Sequence, residues 1–342
     1  MKRTIFIFNL IVLFFCLTSC AEPVVYNKYI HAMDTLITVT IYNAEEEHLN
    51  KINDIYMDYS NACDMFKPYD GNLCDLNNKR TVKANKELLE VIKYSLEIQN
   101  ELDGYFNILI GRITKIWKEA LHIGDNSTPV ILPDDELIQE ELKIMNESKI
   151  IIDGDVVTIE GKADIDLGGV AKGYATQKVE EYMKENNITS YMINAGSSNI
   201  SLGYKNKDES YRVGLTNLDR MSYFMILNID NKAIVTSSIA EQNRTVDGKV
   251  YTHIINPITG YCENKYDIVT IIGEKSGYLD ILSTTLYSMD IELIKSYLAD
   301  KNIDIVLVKD KEIVYSSEGI KNYEEVQEWH NIGRRDYNCR SY

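Results

Sequence analysis

Residues 163–183 read ADIDLGGVAKGYATQKVEEYM, a stretch that begins as a strand and ends as a helix. Two acids, two adjacent glycines and a lysine sit at the joint. Gly168 and Gly169 have no Cβ, so a ligand can approach their carbonyls and amides closely. The helix that follows aims its first N–H groups toward the joint, a favourable place for phosphate oxygens. Lys172, one turn in, can reach the same anion as a point charge. The GxxxxGK[ST] spacing of a Walker loop is missing. Taken alone, the joint reads as a phosphate cradle, a metal site, or a tight turn with a surface lysine.

Outward from the joint, the chain alternates short strands and helices without a fixed period. Alternation predicts strands at 35–42, 191–196, 211–216, 222–229, 232–238 and 266–273. Apolar spacing predicts helices over 45–66 and 85–104, the second ended by Gly104, and a third over 276–289 capped by Ser276. Residues 148–161 read as a hairpin turning at Asp153-Gly154, and 303–309 with 311–317 as a final hairpin. Hairpins and packed helices without a steady βαβ rhythm indicate an α+β fold with mixed or antiparallel sheets.

The first residues stand apart from the fold. Lys2 and Arg3 precede an apolar run, Ile5 to Phe15, that is too short for a comfortable membrane span. Leu17-Thr18-Ser19-Cys20 then resembles a bacterial lipoprotein signal, cleaved before Cys20, whose sulfur and new amino terminus take lipid; an uncleaved anchor is the alternative. The expected layout is a signal over 1–19, lipidated Cys20, a tether over 21–28, one domain over 29–330 and a flexible tail over 331–342. That layout places the protein outside the cytoplasm, anchored to the cell membrane by lipid. The formal charge of −16 argues against nucleic acid as partner. An acidic protein that binds an anion needs a local cation. Cys63, Cys74, Cys262 and Cys339 form no CxxC pair, which disfavours structural zinc, and a Cys63–Cys74 disulfide stays open.

Further candidates lie elsewhere. Asp280 and Thr284 are four apart on the helix over 276–289 and share a face, with Ser283 beside them. A carboxylate on so apolar a helix needs a partner; a hard cation held by carboxylate and hydroxyl would serve, as would local capping. His253 stands at the end of a strand before the turn Asn256-Pro257-Ile258-Thr259-Gly260, where it can contact a cofactor, move a proton or simply bond the turn. Met33 and Thr35 begin a strand, Phe66 and Tyr69 precede a polar loop ending in Asn77, and Tyr105, Phe106 and Asn107 follow Gly104. Flat rings with a few amides suit a planar heteroaromatic ligand or an ordinary core. Asp164 reads as a solvated strand edge.

The order of these segments carries more than any one of them. Met33-Asp34-Thr35, Phe66 to Tyr69 with Asn77, Asp103 to Asn107, Asp166-Leu-Gly-Gly-Val-Ala-Lys-Gly-Tyr174, Asn194-Ala-Gly196, Thr236-Ser237, His253-Ile-Ile-Asn-Pro-Ile-Thr-Gly260 and Asp280-Ile-Leu-Ser-Thr284 follow in sequence. The series resembles the FAD:protein FMN transferase, or ApbE, family over about residues 29–330. The resemblance implies an α+β fold with T-fold-like halves that binds FAD and magnesium. It implies transfer of FMN onto a threonine or serine hydroxyl of a membrane redox subunit, Rnf- or Nqr-like or with an FMN-binding domain, with release of AMP. Metal-dependent hydrolysis of FAD to FMN and AMP, and FAD binding without catalysis, are the alternatives. By position, the metal ligands would be the Gly169 carbonyl, Asp280 and Thr284, with Ser283 adjacent. FAD contacts would fall on Met33, Tyr69, Tyr105, Phe106, Asn107, Asp166, Lys172, His253 and Ile254, and catalytic roles on His253, Asp280 and Lys172. Two departures stand out: Asn107 and Asn256 occupy positions where the family usually has aspartate.

Overall fold

The computed structural model describes residues 23–122, 125, 127–206 and 208–324. The expected signal over 1–19, Cys20 and the tail over 331–342 lie outside the described residues. In chain order the elements are β1 (Val25–Ala32), β2 (Thr35–Tyr42), α1 (His48–Cys63), α2 (Leu73–Lys79), β3 (Thr81–Lys83), α3 (Lys86–Gln99), α4 (Gly111–Leu121), α5 (Asp135–Glu147), β4 (Lys149–Asp153) and β5 (Val156–Glu160). There follow α6 (Ala171–Glu185), β6 (Tyr191–Ala195), β7 (Asn199–Leu202), β8 (Tyr211–Thr216), β9 (Tyr223–Ile229), β10 (Lys232–Ser238), β11 (Asn243–Val246) and β12 (Lys249–Thr252). The series closes with β13 (Ile268–Gly273), α7 (Ser276–Thr285), α8 (Ile291–Leu298), β14 (Asp304–Lys309) and β15 (Glu312–Ser316). Among the described residues no helix is long and apolar enough to cross a membrane.

Eight strands form one sheet in the order β1-β2-β6-β7-β10-β13-β14-β15, and each neighbouring pair runs antiparallel. β13 is buried at every position, because both faces of the sheet are covered. Val269 and Ile271 join the larger core with Leu279, Ile281 and Leu282 of α7, while Ile268 and Ile272 join a second core under the β8–β9 hairpin. The expected α+β class with antiparallel sheets is therefore what the chain adopts.

Several local expectations shift. β1 already pairs with β2 from Val25 onward, so residues 25–28 are strand rather than tether. Ala32 faces Thr35 across a two-residue turn in which Met33 and Asp34 both have positive φ; Met33 is thus turn, not strand. The hairpin over 148–161 turns at Gly154-Asp155, one residue later than expected, since Asp153 still pairs with Val156. The helix expected to run to Gly104 ends at Gln99. Residues before Asn77 are not a polar loop but the helix α2, whose N-cap is Asn72, accepting from Asp75 N at 3.0 Å. Ser276 does not cap α7: its hydroxyl donates to the Gly173 carbonyl of α6 instead.

Asn77 itself is buried, and its amide grips the strand that leads to the glycine joint. Its Oδ1 accepts from Ile165 N at 2.8 Å, and its Nδ2 donates to Ile165 O at 2.9 Å. The expectation that this amide flanks a ligand gives way to a structural role, because both of its polar atoms are already engaged. Asn77→Ala should lower folding stability by about 2–4 kcal/mol, since it strands two buried backbone groups. Urea denaturation of the variant against the parent protein measures this; a midpoint unchanged at equal slope would contradict it.

Candidate functional site

The glycine joint and the acidic helix meet. α6 and α7 lie side by side, and they approach most closely at Gly173, where an added Cβ would collide with the Cβ of Asp280. Ser276 Oγ to Gly173 O closes the same contact from the other side at 3.0 Å. The first turn of α6 has no side-chain cap of its own: Val170 occupies the N-cap position and contributes none. Asp280 supplies it from α7, its Oδ2 accepting from Gly173 N at 2.7 Å. A carboxylate there also lies favourably with the positive end of the α6 dipole.

Lys172 completes the pair. Its Nζ lies 3.2 Å from Asp280 Oδ1 and donates to Ser198 Oγ at 3.1 Å, just before β7. Next to it, a Cβ placed on Gly169 would stand 3.8 Å from Thr284 Oγ1, so the joint and the Thr284 hydroxyl face each other across ordinary contact distance. Thr284 Oγ1 donates to the Asp280 carbonyl one turn back at 3.3 Å, which leaves its lone pairs free. Ser283 turns toward the sheet instead: its hydroxyl is buried, accepts from Ser237 Oγ of β10 at 3.0 Å and donates to Asp280 O at 3.1 Å. The face toward Gly169 is that of Thr284.

The amides expected to cradle phosphate are largely used by the protein. Gly168 N donates to Asp166 Oδ1 at 2.7 Å, Val170 N and Ala171 N to Leu167 O, and Gly173 N to Asp280. Asp166 is therefore the brace of the turn, with Oδ2 accepting from Thr114 Oγ1 of α4 at 2.7 Å. Asp164 is not a solvated edge: Arg80 at 3.1 Å and Lys115 at 2.8 Å hold its two oxygens. An anion at this joint would thus meet the Lys172 ammonium rather than a ring of free amides.

His253 follows β12. The residue is exposed, yet enough protein surrounds its imidazole that lost hydration lowers the pKa. The Gln242 backbone and the nearby Asp166 carboxylate oppose that shift, and Lys172 adds to it. The direction favours the neutral imidazole at neutral pH, and the charges of Asp166 and Lys172 bring His253 into electrostatic reach of the glycine joint. Ile254 beside it is buried. The following turn is anchored by Trp117 Nε1, which donates to Gly260 O at 2.7 Å. Asn256 is buried; its Oδ1 accepts from Ile258 N at 2.9 Å and its Nδ2 donates to Glu263 Oε2 at 2.8 Å. An aspartate there would set two carboxylates against each other, so asparagine matches Glu263.

The amino-terminal candidates border this cluster unevenly. Asp166 N donates to Ile108 O at 2.8 Å, which ties the loop of Tyr105 and Asn107 to the joint. Asn107 Oδ1 accepts from Leu109 N at 2.9 Å, a turn bond that an aspartate would make equally well. Phe106 is buried in the larger apolar core, as Ile254 is. Tyr105 is half-buried, Tyr69 is exposed, and Met33 N donates to Ser60 Oγ at 3.0 Å. Among the described residues no hydrogen bond or ion pair ties Met33 or Tyr69 to the Lys172–Asp280 pair. Ser198, Gln242 and Glu241 lie by the site and carried no periodic or motif signal of their own, whereas Ser237 belongs to the Thr236-Ser237 pair of the motif series. Cys63, Cys74 and Cys262 are free thiols.

With this geometry in view, the ApbE family model matches residues 33–307. The chain belongs to the ApbE family. It is 25% identical over 304 residues to an FAD:protein FMN transferase of Klebsiella pneumoniae, covering 86% of this chain and 92% of that protein. A Vibrio cholerae protein of the same name is 23% identical over 300 residues, covering 86% of each. The fold is similar to the flavin transferase ApbE from Vibrio cholerae, with a TM-score of 0.74, 21% identity and coverage of 88% of this chain and 100% of that one. It is likewise similar to the ApbE protein from Thermotoga maritima, with a TM-score of 0.75, 21% identity and coverage of 89% and 100%.

The donor set of this ApbE chain suits a hard cation. Backbone carbonyl, carboxylate and hydroxyl are all oxygens, and among the described residues no group of three or more His, Cys, Asp or Glu side chains gathers to hold a softer metal. A single carboxylate fits magnesium, which takes its remaining ligands from water and substrate phosphates. Gly173→Ala should separate α6 from α7 and cost about 1–3 kcal/mol, as overpacking does. Thermal melts and divalent-cation titrations on that variant should both shift, and a variant that melts and binds as the parent does would refute the close crossing.

Proposed function

We propose that this protein is an enzyme that transfers the FMN half of FAD to a threonine or serine hydroxyl of an acceptor protein and releases AMP. The observation that supports this reading is the meeting of the Gly168-Gly169 joint with Asp280 and Thr284, beside the Lys172 ammonium. Gly169 O, Asp280 and Thr284 would hold magnesium, which when bound would neutralise diphosphate charge as a Lewis acid, while Ser283 faces the sheet instead. Lys172 places a second positive charge beside the phosphate that departs with AMP. The acceptor oxygen forms a bond to the FMN phosphorus, the bond to the AMP phosphate breaks, and its electron pair leaves with AMP.

His253 is the proton acceptor in this reading. Its lowered pKa favours the neutral imidazole at neutral pH, whose unprotonated ring nitrogen can accept the hydroxyl proton. Tyr105, Asn107 and Ile254 border the same cluster, and Met33 and Tyr69 complete the proposed FAD contacts at its rim. The acceptor is a subunit of a membrane redox complex, Rnf- or Nqr-like or with an FMN-binding domain. A lipid on Cys20 would hold the enzyme on the outer side of the membrane that carries this subunit.

Incubation of the protein with FAD, Mg²⁺ and an acceptor subunit, followed by mass spectrometry, tests the reading. Covalent FMN on the acceptor is expected; FMN released to solution with an unmodified acceptor would replace transfer by hydrolysis. Asp280→Ala should lower AMP release by about two orders of magnitude or more, as loss of a preorganised charge at a phosphoryl centre does. AMP release at the parent rate would remove Asp280 from the site. Cys20→Ser should leave the chain without lipid, and lipid labelling that persists would refute the anchor.

A further inference from the structure

We propose that Lys172 gates the cation site: it holds the Asp280 carboxylate until the diphosphate of the dinucleotide draws it off, so that cation and dinucleotide enter as a pair. The proposal rests on the flavin-transfer reading above and adds an order of binding to it.

Both oxygens of Asp280 are engaged, Oδ1 with Lys172 Nζ at 3.2 Å and Oδ2 with Gly173 N at 2.7 Å. The Asp280 side chain is 8% exposed and that of Lys172 is 20% exposed, so the two charges neutralise each other in a largely desolvated place. A divalent cation arriving alone must break this pair and leave the ammonium without its counter-ion, which is costly away from water. A diphosphate supplies the missing counter-ion. The obstacle to the metal is thus lifted by the substrate that the metal serves.

A second carboxylate lies within electrostatic range of the ammonium. Glu241 lies on the loop between β10 and β11, next to Gln242. Its side chain is partly buried, and among the described residues no hydrogen bond or ion pair reaches it. Burial raises its pKa, while the charges of Arg220 and Lys172 pull it back down, so Lys172 acts on this carboxylate too. A lysine has four rotatable stem bonds and can pass between two anions without any movement of its helix. Asp280 has no such freedom, because Gly173 fixes it.

Binding of Mn²⁺ alone, followed by the electron paramagnetic resonance of the free ion at neutral pH, reads the gate without turnover. The Lys172→Met protein should bind Mn²⁺ in the absence of FAD about tenfold more tightly than the parent. Lys172→Arg should keep the weak parental affinity, because a cation still covers Asp280. Equal or weaker binding by a folded Lys172→Met protein, judged by its melting curve, would overturn the gate. If that variant fails to fold, Glu241→Gln takes its place. Removing that nearby carboxylate should lower the gain in Mn²⁺ affinity that FAD gives the parent, and an unchanged gain would count against the proposal. Absence of Mn²⁺ binding by every variant and by the parent, with or without FAD, would instead sink the metal-dependent reading of the function itself.

Discussion

A carboxylate on a buried apolar helix must find charge or hydrogen-bond donors, and Asp280 finds both on the neighbouring helix. Gly173 N–H and the Lys172 ammonium take its two oxygens, and in return the carboxylate caps the first turn of α6. The bond that stabilises the helix start is therefore the same one that assembles the site. It demands a glycine at the crossing, since any side chain there would push α7 away from α6. Nearly every other placement in the site depends on this contact, from the approach of Gly169 to Thr284 to the reach of Lys172.

The sheet makes that contact rigid. With both faces of the central strands covered, α7 packs on one side against Val269 and Ile271, and its position is set by apolar burial rather than by the polar groups at its end. The joint on α6 is braced from the opposite direction by Asn77, Thr114 and the Asp164 ion pairs. An acidic chain holds a polyanion only where positive charge meets it, and at this joint Arg80, Lys115 and Lys172 each pair with a carboxylate. Arg80 and Lys115 neutralise Asp164, so Lys172 is not the sole cation answering the acids of the joint.

How far the sequence could be read depended on how local each signal was. The strands over 211–216, 223–229, 232–238 and 268–273 followed from alternation and apolar runs, which report on burial within a few residues. The helix carrying Asp280 followed from spacing, although its cap did not: Ser276 has the chemistry of a cap, but its hydroxyl is taken by Gly173 O across the helix pair. Asn77 looked like a loop amide near a ligand, and its true partner lies 88 residues away. Asp164 looked solvated because its cations come from α2's end and α4. Asn256 looked like a lost charge, and only Glu263, folded back against it, explains the amide.

The sequence by itself determined the α+β class, the antiparallel strands, the glycine joint and the ordered set of motifs that marks the ApbE family, because these are carried by residue type and short-range spacing. Tertiary structure alone decided which polar atoms are free. Asp280, Asp166 and most of the first-turn amides of α6 are committed within the protein, while Thr284 keeps open lone pairs toward Gly169 and, among the described residues, no hydrogen bond or ion pair reaches the Glu241 side chain. A hydrogen bond between residues far apart in the chain exists only where packing brings them within about 3 Å, and no local pattern encodes that meeting.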